Sequence, residues 1–256
     1  MTEQHARDPR GRFTNRVDDY IRYRPGYPRE LLTWLRETIG LSPSWSVADI
    51  GSGTGLLSIQ FLKAGCMVYG VEPNAAMRAA AEQAFAANPQ FVSVEGSSEA
   101  TTLPDGSVEL VSAGQAFHWF EPTATSREWH RILKPGGFAV VVFNSRLIQA
   151  SPFMRAYDQY LIDHAIDYTR VDHRRGLAEK LRAVLGEVRE RRFPFTLRHR
   201  YDDVRGLSMS SSYVPAPGHP QHDAFFAGLR ALFDAHAVDG AVEFPYETEA
   251  YVGRVS

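Results

Sequence analysis

The sequence predicts an α/β fold in which a mostly parallel sheet carries helices on both faces. Three observations predict it. Short apolar runs alternate with helical patterns from residue 46 to about residue 145. The runs are apolar throughout rather than at every second position, as suits strands covered on both sides. The first run ends in a glycine-rich turn that opens a helix, which is how a βαβ unit begins.

The elements follow in order. A polar arm leads into YRPGYP, where Pro25 and Pro28 impose an extended or turned backbone. Leu31, Leu32, Leu35 and Ile39 then mark one face of a helix, with Gly40 placed to stop it. Strands are expected at SVADI (46–50), CMVYGVE (66–72), FVSVE (91–95), VELVSAG (108–114) and GFAVVVFN (137–144). Helices are expected between them at LLSIQFLKAG (56–65), NAAMRAAAEQAFAAN (74–88) and TATSREWHRILK (123–134). KPGG, Lys134 to Gly137, reads as the turn into the fifth strand, with a structural role. From about residue 150 the rhythm breaks. A charged helical stretch is expected over Ala178 to Arg191, then RRFPFTLRHRY, a loop SMSSSYVPAPGHP, a helix over Ala224 to His236, and a last strand-like run, AVEFPYETEAYVGRV.

The turn in VADIGSGTGLLSIQ carries Gly51, Ser52, Gly53 and Gly55. A dinucleotide fingerprint is G-x-G-x-x-G, its third glycine allowing close packing of helix on strand. Here the spacing is G-x-G-x-G, and Leu56 stands at the third site. The backbone N–H groups of the turn still point toward whatever binds there. Glu72 ends the second strand, where an acidic side chain can accept both hydroxyls of a ribose. Asp49 lies beneath the turn; its charge would repel a phosphate and suits an ammonium or sulfonium. Together these features point to a nucleoside with no need of a pyrophosphate. The plainer alternative is that Asp49 only caps the turn and Glu72 only leaves the sheet.

VADIGSGTGLLSIQ, VYGVEPN, GSSEATTLPDGSVELV and RILKPGGFAVVVFN, in this order, resemble the class I methyltransferases that use S-adenosylmethionine. The resemblance covers roughly residues 46 to 145. It implies a Rossmann-like methyltransferase sheet with an antiparallel C-terminal strand, an N-terminal lid and a C-terminal insertion. It divides the chain into an arm and lid helix (1–45), a cofactor-binding core (46–145), and an acceptor-pocket insertion with strands completing the sheet (146–256). It implies S-adenosyl-L-methionine as methyl donor and S-adenosyl-L-homocysteine as product. The Gly51–Gly55 turn would pack on the amino-acid part and Glu72 would hold the ribose. Pro73, Asn74 and Met77 would lie along the adenine, with Ser97, Ser98 and Glu99 at its edge. Many relatives carry Asp where this chain has Ser97, whose hydroxyl would bind the adenine amine more weakly.

The fourth strand runs through Gly114 into QAFHWF. Ligands bind at the carboxyl ends of strands in such sheets, which places Gly114, Gln115 and His118 near the reacting methyl. Gln115 is a candidate for the amino-acid end of the cofactor. His118 is a candidate general base, its ordinary pKa being near ~6.5, or else a pocket wall. Trp119 reads as pocket wall and Phe120 as core. HWF together with YRPGYP is similar to methyltransferases of the trans-aconitate type, which act on small organic acids. In relatives the N-terminal segment closes over the cofactor. Arg24 would then pair with the cofactor carboxylate, and tyrosine faces would line a path to the sulfonium. Tyr20 is assigned to the cofactor, and Tyr23 and Tyr27 to the substrate. After the fifth strand, Tyr213 and residues 150–180 are expected to touch the acceptor.

Composition narrows the classes. The net charge of -2 gives no support for a partner bound through phosphates, and no N-P-P-Y-type motif follows the fourth strand, so no nucleic acid is expected. No apolar run approaches the roughly 20 residues of a membrane span, and the polar N-terminus has no apolar signal core. A cytoplasmic location is the expectation. Cys66 is the one cysteine, so no disulfide forms within the chain. The histidines show no metal-ligand spacing, and there is no G-x-S-x-G elbow. The reading is methyl transfer to a small-molecule acceptor by a monomer or homodimer, by O-methylation of a carboxyl or hydroxyl group. The alternatives are C- or N-methylation of an aromatic metabolite, and an NAD-binding oxidoreductase, against which the glycine spacing and Asp49 argue.

Overall fold

The first two apolar runs lie side by side in the computed structural model, which describes residues 17–166, 168 and 176–256. β1 (Ser46–Ile50) pairs in parallel with β2 (Met67–Val71), Asp49 opposite Gly70. β3 (Phe91–Val94) joins β2, while β4 (Val108–Gly114) takes the other side of β1 and β5 (Leu133–Arg146) adds to β4, all parallel. β7 (Val242–Gly253) runs antiparallel beside β5, and β6 (Arg189–His199) pairs antiparallel with β7 at the edge. The strand order is β3-β2-β1-β4-β5-β7-β6. The order reverses between β1 and β4, so the crevice for a ligand opens above those strand ends.

The helices cover the sheet as their apolar faces require. α2 (Arg29–Ile39) buries Leu31, Leu32, Trp34 and Leu35, while Ile39 packs at the margin of the same cluster. Gly40 ends it in the left-handed conformation (φ 74°), its N–H reaching the Arg36 carbonyl. α3 (Ser58–Lys63) shares that side of the sheet through Phe61 and Leu62. α4 (Ala75–Phe85) starts at Asn74, whose side chain accepts the Ala76 and Met77 amides. On the opposite face α5 (Pro122–Ile132) seats Trp129 and Ile132, joined by Leu181 and Val184 of α7 (Leu177–Val184).

Three expectations need correction. The charged helical stretch stops at Val184, not Arg191, because Arg189 onward pairs with β7 in an 11-residue strand. KPGG is not a simple turn: it lies within β5, where Leu133 pairs with Val108 and the register slips before Phe138 pairs with Leu110. The start of the serine-rich loop is helical: α8 (Tyr201–Met209) includes Ser208 and Met209. α6 (Pro152–His164), α8 and α9 (His222–His236) pack with Phe244 and Tyr246 of β7 into a third core beyond the sheet end. α1 (Val17–Tyr23) packs on α8, where the Tyr23 ring lies against Gly206.

Candidate active site

The glycine turn, the ends of β2, β4 and β5, and the segment after α8 enclose one cavity of about 870 Å³. Gly51, Gly53 and Gly55 all adopt positive φ (65°, 57° and 86°), and so turn the chain sharply from β1 toward α3. Each glycine has a different neighbour. A Cβ on Gly55 would lie 2.3 Å from the Phe85 ring, so this residue packs turn against helix and faces away from the cavity. Close packing, which the dinucleotide fingerprint gives to its third glycine, falls here to Gly55. A Cβ on Gly53 would meet nothing within 4 Å, leaving its face open to a ligand.

Glu72 is buried, and both its oxygens receive backbone amides: Oε2 from Gly53 at 2.9 Å and Oε1 from Asn74 at 2.8 Å. Burial pushes its carboxyl up from the usual range, against the pull of those amides and of Arg78. Each oxygen keeps acceptor capacity for a second donor such as a sugar hydroxyl. Asp49 is fully buried below the turn, accepting the Ser58 hydroxyl at 2.6 Å and the Ser112 hydroxyl at 2.9 Å. Burial raises its carboxyl to about 6, the two serines opposing. These two acids, the open Gly53 and the neighbouring Met77 form a cradle that fits an adenosyl group with a cationic amino-acid end.

Around the rest of the rim, Ser98 donates to Glu99 at 2.5 Å, and the Glu99 amide to the Ser97 hydroxyl at 3.3 Å. Burial pushes the Glu99 carboxyl up, but the Ser98 and Ser97 hydroxyls and the Glu121 amide outweigh it, so it lies below its usual range. Gln115 sits at φ 59°, a conformation uncommon for a side-chain-bearing residue, and its amide donates to the Asn144 carbonyl at 2.8 Å. His118 stands on a short 3₁₀ turn, Phe117–Trp119, with its ring 4.7 Å from that of Trp119. Lys180 of α7 holds this turn, donating to the His118 carbonyl at 2.7 Å and the Phe120 carbonyl at 3.1 Å. Phe120 packs edge-on against Phe117 and Trp129 in the core and also reaches the cavity.

The cavity wall thus takes in Arg24, Tyr27, Asp49, Gly51, Ser52, Gly53, Glu72, Pro73, Met77, Ser97, Ser98, Glu99, Gly114, Gln115, His118, Trp119 and Tyr213. Gly55 and Tyr23 are not part of that wall; Phe85 and Gly206 explain where they turn instead. The Tyr20 side chain lies outside the described residues. Arg24 lines the cavity, and its guanidinium donates to the Ser210 hydroxyl at 2.9 Å and carbonyl at 3.2 Å, and to the Ser211 hydroxyl at 3.1 Å. It ties the arm to the end of α8.

Asn144 and Arg146 were not anticipated. Asn144 donates to the Pro25 and Gly26 carbonyls at 3.2 and 3.0 Å, fastening the YRPGYP segment to the end of β5. Arg146 extends β5 into the far end of the cavity, among Tyr157, Tyr168 and Tyr213. The available signal was a polar triplet closing an apolar strand, Asn144 to Arg146, at the sheet end where ligands bind.

A mostly parallel sheet whose first turn and second-strand acid share one cavity at the switch point is a Rossmann-like fold. Residues 48–141 match the methyltransferase domain family. An uncharacterized methyltransferase of Mycobacterium tuberculosis is 37% identical over 134 residues, 52% of this chain and 52% of its own length. The chain spans about half the length of the curated relatives it matches. An Anaeromyxobacter dehalogenans structure provisionally assigned as a type II methyltransferase superposes with a TM-score of 0.68 at 24% identity, over 91% of this chain and 98% of that one. A Haemonchus contortus phosphoethanolamine N-methyltransferase, solved with phosphomonomethylethanolamine and S-adenosylhomocysteine, gives a TM-score of 0.53 at 14% identity, over 94% of this chain and 57% of that one. At these identities the two structures speak for the fold. Residues 48–141 are thus similar to methyltransferase domains, on a sheet of the Rossmann-like kind. Among the described residues, no helix is long and apolar enough to cross a membrane.

Proposed function

We propose that this chain transfers a methyl group from S-adenosylmethionine to the oxygen of a small-molecule acceptor, a carboxyl or hydroxyl group. The observation that carries the reading is the continuity of one cavity from the Gly53–Glu72 cradle to His118, Trp119 and Tyr213. The likeness of HWF and YRPGYP to methyltransferases of small organic acids supports an acceptor of that size. Residues 1–45 then act as arm and lid, 46–145 as cofactor core, and 146–256 as acceptor pocket and sheet extension.

When bound, the sulfonium supplies an electrophilic methyl group whose departure leaves a neutral thioether, so the residues need mainly to align the reactants and exclude water. Glu72 holds the ribose and Asp49 faces the cationic end. Met77 and Pro73 flank the base. Gln115, fixed by the Asn144 carbonyl, closes the amino-acid end. His118 accepts the proton of a hydroxyl acceptor at its imidazole; for a carboxylate no proton moves, and His118 orients it. Trp119 and the arm fastened by Asn144 keep water out. The test is S-adenosylhomocysteine release from S-adenosylmethionine over a panel of small carboxyl and hydroxyl compounds. Release with a methyl ester or ether as product is expected. N- or C-methylated products would contradict the oxygen assignment.

A further inference from the structure

Arg146 is a cation that cofactor binding leaves unexplained. It is half-buried and lines the cavity. Its Nη2 donates to the Tyr168 hydroxyl at 3.2 Å and the Tyr213 hydroxyl at 3.4 Å. Its guanidinium carbon lies 5.3 Å from the Tyr157 ring centre and 5.9 Å from that of Tyr168. Among the described residues no carboxylate stands within ion-pair distance of it. Neutral phenols satisfy hydrogen bonds but do not neutralise a guanidinium withdrawn from bulk water. Ring faces stabilise the cation from above, and with Nη2 turned to the two hydroxyls its Nε–H and Nη1–H groups lie in the plane for a ligand.

The surrounding charges set the valence of that ligand. Arg24 acts on the same tyrosines, Tyr157 and Tyr213, but its guanidinium is engaged by Ser210 and Ser211. Asp158 accepts the Tyr168 hydroxyl at 2.5 Å, which brings one negative charge to the edge of the cluster. With Asp158 there and Glu249 also on the cavity wall, a dianionic phosphate is disfavoured against a single carboxylate.

We propose that Arg146 anchors a carboxylate of the acceptor, and that this carboxylate is a handle and not the group methylated. A guanidinium N–H that donates to a carboxylate in a charge-assisted bond stabilises the negative charge and ties up a lone pair of the oxygen. Such an oxygen is a poor nucleophile. The reacting oxygen therefore belongs to another part of the same molecule, lying toward Gln115 and His118. The acceptor is a small molecule with a carboxylate at one end and a hydroxyl or second carboxyl at the other. The second half of this inference rests on the methyltransferase reading; the carboxylate anchor does not.

The test is calorimetric titration of the full chain, with and without S-adenosylhomocysteine, using acetate, benzoate and succinate, each against its amide, and inorganic phosphate. At least one carboxylate is expected to bind about tenfold or more tightly than its amide. Arg146→Gln should abolish that preference while S-adenosylhomocysteine affinity is kept, and Arg146→Lys should restore part of it. With S-adenosylmethionine present, acetate and benzoate should bind without being methylated. Equal binding of amides, no carboxylate binding at millimolar concentration, an unchanged preference in Arg146→Gln, tighter binding of phosphate, or methyl benzoate as product would each overturn the proposal. A carboxylate preference in a chain that binds no S-adenosylhomocysteine would keep the anchor and remove the methyltransferase reading. Cofactor binding without carboxylate preference would do the reverse.

Discussion

The Gly53 amide donates to Oε2 of Glu72 at 2.9 Å, binding the turn after β1 to the end of β2. The same carboxylate holds the Asn74 amide at 2.8 Å, so it sets the shape of the cradle before any ligand arrives. Glu72→Gln places an amide N–H₂ where an acceptor is required. The expected result is about 1–3 kcal/mol of lost stability and about tenfold or weaker S-adenosylhomocysteine binding, read by scanning and titration calorimetry. Unchanged affinity would remove Glu72 from the cofactor site.

Asp49 should make cofactor affinity depend on pH. Burial holds its carboxyl at about 6, above the ordinary 3.8. A folded value above the unfolded one means the ionised form is disfavoured in the fold. Stability is thus lost as pH rises through the window from 3.8 to about 6, by about 3 kcal/mol. Binding of a cationic amino-acid end runs the other way and strengthens as Asp49 ionises. Titrations from about pH 5 to about pH 8 should show tightening through the Asp49 range in the wild type. Asp49→Asn should give a flat, weaker profile and greater stability near neutral pH.

Gly55 is a packing residue. A methyl group there would lie 2.3 Å from the Phe85 ring, on a backbone with φ 86°. Gly55→Ala should lower stability by about 1–3 kcal/mol, seen as a fall in Tm. Gly53→Ala meets open space on the protein side, so its loss should appear chiefly in cofactor affinity, beyond the backbone cost shared by both.

Lys180 and His118 separate positioning from chemistry. Lys180 reaches the carbonyls of His118 and Phe120 and lends the 3₁₀ turn its place. His118→Ala should cut turnover of a hydroxyl acceptor by about 10²-fold, with S-adenosylhomocysteine affinity retained. Lys180→Ala should lower kcat less. Full turnover in His118→Ala would leave His118 as wall alone.

The parallel half of the sheet was legible because its strands are largely apolar and helices carry signals such as the Asn74 cap of α4 and the Gly40 stop of α2. The glycine turn and Glu72 were legible because their chemistry lies in consecutive residues. The far half of the cavity was not. Arg146 becomes a site residue only when Tyr157, Tyr168 and Tyr213 arrive from three later segments. α6 was missed although Ser151 caps it and Phe153, Met154, Tyr157 and Leu161 form its buried face. Arg189 to Arg191 read as a helical polar face because their charges stand on an exposed edge strand, whose partner β7 lies about sixty residues downstream. Tyr23 was placed with the substrate from its neighbours in sequence, whereas contact with Gly206 decides its direction.

The central claim is that the Gly51–Glu72 cradle holds a sulfonium nucleoside. Its most direct test is calorimetric titration of the chain with S-adenosylmethionine and, separately, with NAD. The account predicts saturable one-to-one binding of S-adenosylmethionine, weakened by Glu72→Gln, and no measurable binding of NAD. Tight NAD binding with no response to S-adenosylmethionine would contradict it.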